Sequence, residues 1–230
     1  QAVGIISKWT RATIPDPATG NRPIQPDVIA HEHNENCGET QDLLCASARV
    51  ALIPAACTMD INEDHVWCEI WWDGEWRGWY VDTINNPNCA YDKDHGGSKD
   101  CSCIWTWRND GYTWDDAAFY SQTCTFTVTV TDSSDVPVDN SIVLIASEGW
   151  QTSTLYLGTF GETDRNGQIT FDLGDNQNYY LRIFTELGIF GSGGYEEVIV
   201  NSIPDQSYYF DWSPPDPMPE LDLTELSEGS

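Results

Sequence analysis

Positive charge is scarce in this chain. Ten Lys and Arg, only three of them lysine, stand against 37 Asp and Glu, giving a formal net charge of -27 and a pI near 4.1. A field of that sign repels phosphate backbones and anionic lipid, so nucleic acid is excluded as a partner. Long apolar runs are missing too: no stretch of 18 apolar residues occurs, and no direct membrane insertion is expected. Residues 1–7 lack the basic start and extended apolar stretch of a signal peptide. What the chain does have is eight cysteines, four of them between Cys68 and Cys103, more than a reduced compartment usually carries. The expectation is a mature secreted or cell-surface protein with disulfides. With 230 residues, 40% hydrophobic and 12% aromatic, it can build one large or two modest domains and is not a disordered chain.

Residues 42–52 are rich in Leu and Ala, contain no Gly or Pro, and are closed by Pro54, which predicts a helix with Cys37 at its approach. His65 to Trp72 reads as a strand, Asp73 and Gly74 as a two-residue hairpin turn, and 75–82 as the returning strand. Residues 83–121 read as a long polar loop region anchored by Trp105, Trp107 and Trp114. From Cys124 the pattern alternates, with Thr125, Thr127 and Thr129 against Phe126, Val128 and Val130. The expected domains are 1–122, 123–212 and a Pro-rich acidic tail or linker over 213–230.

An ordinary thiol, with a pKa near about 8.5, is mostly protonated at neutral pH, so a nucleophilic cysteine needs a helix N-terminus, a histidine or both. Cys37 is placed to receive both, and Gly38 beside it admits a substrate backbone. The competing reading is half of a disulfide. Hairpin arithmetic supplies the histidine's orienter: if Trp72 pairs with Glu75, then His65 faces Asp82. Directly opposed residues have Cβ atoms about 4.5–5.5 Å apart, within reach of a carboxylate accepting the imidazole N–H. The same register puts Trp67, Trp71, Trp76 and Tyr80 on that face as a mostly apolar wall, with Val66, Cys68, Ile70 and Trp79 facing the other way.

Asn36-Cys37-Gly38-Glu39, then Ile53-Pro54-Ala55, Asp64-His65-Val66-Trp67-Cys68-Glu69-Ile70, Trp76 and Tyr80-Val81-Asp82 together resemble the core of the transglutaminase-like superfamily. The Cys-Gly-Glu and Asp-His-Val-Trp segments are closest to peptide N-glycanases, though the paired zinc-binding Cys-x-x-Cys motifs of those enzymes are missing. The resemblance spans about residues 30–86. It implies an α+β, papain-like core with a helix packed on an antiparallel sheet. Cys37 would be nucleophile, His65 base and then acid, and Asp82 the orienter. The Cys37 amide would serve in the oxyanion hole, with Trp9, the only tryptophan upstream, as a second donor. Thr-Asp-Arg-Asn-Gly-Gln-Ile-Thr-Phe from Thr163, with Tyr180-Leu181-Arg182-Ile183, is similar to carboxypeptidase regulatory-like or Ig-type β-sandwich modules, implying an all-β spacer or binding domain.

Other candidates are weaker on chemistry. Cys89, His95, Cys101 and Cys103 offer a zinc set, but a one-residue gap between two cysteines is awkward for chelation and an oxidising compartment favours disulfides. Asp92, Asp94 and Asp100 offer calcium oxygens without the closing Glu of an EF-hand loop. No cofactor is expected. His33 and Trp67 are candidate cleft-lining residues with Gly38. If Cys37 is free, seven cysteines remain, so at least one more is unpaired; Cys45, on the same helix, is the candidate buried thiol. The expected function is an extracellular, monomeric cysteine peptidase or amidohydrolase acting on protein or peptide substrates. The alternatives are a cross-linking transglutaminase and a catalytically silent binding or structural protein.

Overall fold

In this computed structural model residues 2–17, 22–80, 83–84, 101–108 and 110–214 are described. The first part of the chain forms α1 (Ala2–Thr13), β1 (Asp16–Pro17), α2 (Pro26–Glu32), β2 (Asn34–Glu35) and α3 (Cys37–Val50). Strands β3 (Ala55–Asp60), β4 (His65–Trp72), β5 (Glu75–Tyr80), β6 (Thr83–Ile84), β7 (Trp105–Trp107) and β8 (Thr113–Asp115) follow, then α4 (Ala117–Tyr120). The remainder is all strand: β9 (Thr123–Val130), β10 (Ile142–Glu148), β11 (Leu155–Glu162), β12 (Gln168–Gly174), β13 (Tyr179–Thr185), β14 (Gly188–Phe190), β15 (Glu196–Ile199) and β16 (Ser207–Trp212). The class is mixed α and β, with sheet predominating.

The central helix begins five residues before the expected 42, because a cap and not an apolar residue sets its start. Asn36 has extended backbone, and its Oδ1 accepts from the Cys37 amide at 2.7 Å. Glu39 in the first turn suits the positive end of the helix dipole. At the other end Leu52 takes a left-handed φ of 59°, and Pro54 prevents continuation. Leu44, Cys45 and Ala48 of α3 pack on Cys57, Cys68, Ile70 and Trp79 of the sheet. That sheet is antiparallel, in the order β6-β5-β4-β3-β7-β8. The expected hairpin forms: Asp73 and Gly74 have φ of 55° and 90°, as a type I′ turn needs, and the pairing runs from Trp72↔Glu75 to Cys68↔Trp79. The stretch expected as loop, 83–121, in fact contributes β6, β7, β8 and α4. Trp105 and Trp107 are strand residues of the sheet itself and not loop anchors.

The cysteines do not pair as their number suggested. All seven described cysteines are free, and Cys45 is one of a trio, its sulfur 3.3 Å from that of Cys68 and 3.5 Å from that of Cys57. Composition counts sulfurs without saying where they meet. Here three converge between one helix and two strands as packed thiols, kept protonated by the hydrogen bonds among them and by burial.

On the face away from α3, Trp67 packs with Cys101, Ile104, Ala117 and Tyr120. Glu69 lies there as well, 1% exposed, accepting from the Tyr120 hydroxyl at 2.6 Å. The expected apolar wall therefore contains a carboxyl. Burial, helped by Asp116 and opposed by the Tyr120 hydrogen bond, pushes the Glu69 carboxyl up from 4.5 to about 8. In that window the folded state holds a proton that the unfolded chain has lost, so the stabilisation is complete below about pH 4.5 and lost as pH rises through about 8. Glu69→Gln keeps an acceptor for Tyr120 and is expected to flatten this slope. The gain at pH 9 relative to pH 5 has an upper limit of roughly 5 kcal/mol, read as the change in urea midpoint at the two pH values.

β12-β9-β16 and β11-β10-β13-β14, with β15 on β13, face each other across Phe126, Val128, Ile145, Leu173, Leu181 and Ile183. β9 and β16 run parallel; the other pairs are antiparallel. This sandwich is bound tightly to the first part of the chain. Cys103 enters its core, Gly174 N–H and Tyr179 OH both donate to the Ser102 carbonyl, and a Cβ on Gly174 would sit 1.7 Å from the Cys101 oxygen. Asn62, between β3 and β4, donates to the carbonyls of Ser147 and Tyr156 at 3.0 Å each and accepts from the Trp150 amide at 2.7 Å.

Candidate active site

Cys37 is the first residue of α3 and His65 the first of β4. They line one cleft of about 220 Å³, shared with Arg22, Gly38, Met59, Asp60, Ile61, Asp64 and Val66. The cleft lies at the end of the sheet where β3 turns into β4, which lets residues from its two faces meet. Backbone hydrogen bonds from Val66 and Gly38 reach the Cys37 thiol, tying the helix start to the residue that follows the histidine.

His65 is 4% exposed, pairs with Asp60 in the ladder, and stacks on Trp67 with ring centroids 5.3 Å apart and planes 16° from parallel. Stacking and burial limit the imidazole to few orientations. Asp82, expected as its orienter, lies outside the described residues, as do Val81 and the side chain of Tyr80. The returning strand, expected to run to 82, ends at Tyr80, which pairs with Thr83 of β6.

The thiol is not lowered, as a helix start and a nearby histidine suggested. Burial pushes the Cys37 thiol up; the Val66 and Gly38 amides pull it down, Asp64 pushes it up again, and Arg22 pulls weakly the other way. Arg22 is itself committed to Glu39, through Nη2 to Oε2 at 2.7 Å and through Nε to Oε1. That pair anchors the loop before α2 onto the helix that carries Cys37. The Cys37 amide, expected as an oxyanion donor, is already engaged by Asn36 Oδ1.

Sequence reasoning missed Asp60. Its buried carboxylate accepts from the Ser102 amide at 3.0 Å, the Ser102 hydroxyl at 3.0 Å, and the amides of Asn62 at 3.1 Å and Glu63 at 3.3 Å. It thereby shapes the turn into His65. An Asx turn, Asp at a strand end with a polar residue two positions on, was the available signal. Arg22 had none, because its partner is 17 positions away.

Of the other candidates, Gly38 lines the cleft. Trp67 is fully buried behind His65 and supports the ring without lining the cleft. Trp9 is 46% exposed on α1 and is not among the cleft's described residues, so an oxyanion role for it has no geometric support. His33 is exposed, with Nδ1 2.5 Å from the Thr13 carbonyl oxygen, and is likewise absent from the lining. Trp71 is 44% exposed and meets Trp76 edge-on, so the apolar wall opens to solvent away from His65. Cys89, His95, Asp92, Asp94 and Asp100 lie outside the described residues. Cys101 and Cys103 are buried thiols raised by desolvation, and among the described residues no group of three or more His, Cys, Asp or Glu side chains is arranged to hold a metal ion.

No family model matches the chain, and no curated protein does. Solved structures similar to it include a dioxygenase domain of a carbohydrate-binding fusion protein from Streptomyces sp. SirexAA-E, at 8% identity and a TM-score of 0.30, covering 41% of this chain and 80% of that one. Others are 3-chlorocatechol 1,2-dioxygenase from Rhodococcus opacus 1CP (12%, TM-score 0.30, 40% and 59%) and the Bacillus anthracis TIE protein (10%, TM-score 0.29, 70% and 30%). Likenesses at this level carry neither fold family nor chemistry over to the chain, and the site stands on its own geometry.

Proposed function

We propose that the chain is an extracellular thiol amidohydrolase of proteins or peptides, working through a thioester on Cys37 in a transglutaminase-like, papain-type core. The observation that carries this reading is the convergence of Cys37, at the start of a capped helix, and His65, at the start of β4, on one cleft. In the first step Cys37 Sγ attacks the amide carbonyl while His65 takes the thiol proton. The imidazolium then gives that proton to the departing nitrogen, the C–N bond breaks, and a thioester remains. Water, deprotonated by His65, attacks the thioester and releases the acid and the thiol. Since burial keeps the resting thiol protonated, His65 acts as a base during attack and does not rest in a preformed ion pair. Asp82 holds the imidazole tautomer. The Cys37 amide becomes an oxyanion donor once the exposed Asn36 side chain swings off it. No cofactor enters these steps.

The test is acid-quenched mass spectrometry during turnover of a peptide amide library, with and without a primary amine. An acyl adduct on the Cys37 peptide is expected, with hydrolysed product in both arms. Dominant amine incorporation would make the protein a transglutaminase. No adduct and no product across the library would leave a binding or structural protein.

A further inference from the structure

Next to the cleft lies a second, larger depression of about 450 Å³, walled by Met59, Ile61 and Trp105 on one side and by Leu157, Gly158 and Phe160 of β11 on the other. Met59 and Ile61 line both, so the two spaces adjoin across these side chains. We propose that this groove is a specificity subsite for a large apolar side chain, aromatic or branched aliphatic, of the polypeptide whose amide bond sits at Cys37; the proposal rests on the catalytic reading of that cleft.

Three observations select this occupant. The described lining bears no charged side chain, in a protein of net charge -27, and its polar side-chain groups are the Thr113 hydroxyl and the Trp105 indole N–H. The Gly158 carbonyl is already taken by Trp105 Nε1–H at 2.7 Å, which leaves little to orient a small polar ligand. The groove also stays open to solvent: Ile61, Leu157 and Phe160 are 44%, 40% and 58% exposed, an arrangement that suits a side chain arriving on an extended chain. A polypeptide running from the thiol past Ile61 carries such a side chain into the groove with its backbone outside. The sandwich, expected as a spacer or binding domain, then supplies half of the recognition surface.

The experiment compares kcat/KM for peptide amides bearing Phe, Leu, Ala or Ser at each position flanking the scissile bond. Wild type is expected to favour Phe or Leu over Ala at one position by about 10–100-fold, the range one apolar pocket gives. Phe160→Ala and Leu157→Ala should each shrink that ratio several-fold, whereas Tyr209→Ala, on the exposed face of β16, should leave it intact. The same panel is titrated on Cys37→Ala by calorimetry, which reads the groove without turnover. An apolar preference in binding with no turnover in wild type would sink the catalytic reading and keep the subsite. A ratio unchanged by Phe160→Ala and Leu157→Ala, or no apolar preference in either assay, overturns the subsite. So does a wild-type dimer that Phe160→Ala converts to monomer in sedimentation, since the occupant would then be a second copy.

Discussion

Cys37→Ala and His65→Ala are each expected to lower amide turnover by a factor of about 10³ or more, and the double variant should be little worse than either single one. Nucleophile and base act as one unit: without the histidine the protonated thiol has no acceptor for its proton, and without the sulfur the histidine has nothing to deprotonate. Additive losses would mean that the two residues do not work on the same step. Because burial raises the Cys37 thiol, its alkylation by iodoacetamide in wild type should be slow at pH 6 and climb steadily with pH. Rapid reaction at pH 6 would indicate a preformed thiolate and contradict the proposed order of proton transfer. Cys37→Ala should leave the fold intact, since Cys37 lines the cleft, and urea denaturation of His65→Ala separates a lost base from a lost ring in the buried wall.

Asp60→Ala is expected to cost about 3–5 kcal/mol of stability, comparable to breaking a buried charged network by removing one partner. Four donors on three residues, Ser102, Asn62 and Glu63, lose their acceptor together, and none of those residues is exposed. Asp60→Asn should fall between. Its oxygen can serve the cluster at Oδ1, but its amide nitrogen then faces the Ser102 N–H, donor against donor. Urea denaturation checks the order wild type, Asn, Ala. A loss below about 1 kcal/mol for Ala would show that solvent replaces the carboxylate without penalty. Activity is expected to drop with the Ala variant, because the turn that Asp60 shapes leads directly into His65.

How much of this was legible in the sequence depended on whether the determining interaction was local. The Asp-Gly turn set the β4–β5 register, because a two-residue hairpin has one dominant geometry. The helix bearing Cys37 was visible from composition, and its true start at Asn36 is a cap that composition does not weigh. Strand β3 escaped notice because Ala55, Ala56, Cys57 and Thr58 are small and buried on both faces, without the alternation that marks a half-exposed strand. Helix α1 escaped because the residues it buries include Ser7 and Thr10, polar side chains that no apolar periodicity reports; Ser7 is there to accept from Trp79 Nε1 at 2.9 Å. Arg22, the groove and the hold of Asn62 on β10 and β11 all depend on partners far along the chain, and nothing in a single sequence pairs them.

The hold on Asn62 has a consequence for the order in which the protein matures. Synthesis proceeds from the N-terminus, so Cys37, His65 and the whole of β4 are made before Ser147, Trp150 and Tyr156, the residues that fasten the turn between β3 and β4. A nascent chain thus carries Cys37 and His65 through the elongation that follows while that turn has no outer attachment and the groove lacks its β11 wall. The turn that leads into His65 therefore gains its outer attachment only once β10 and β11 have folded against it.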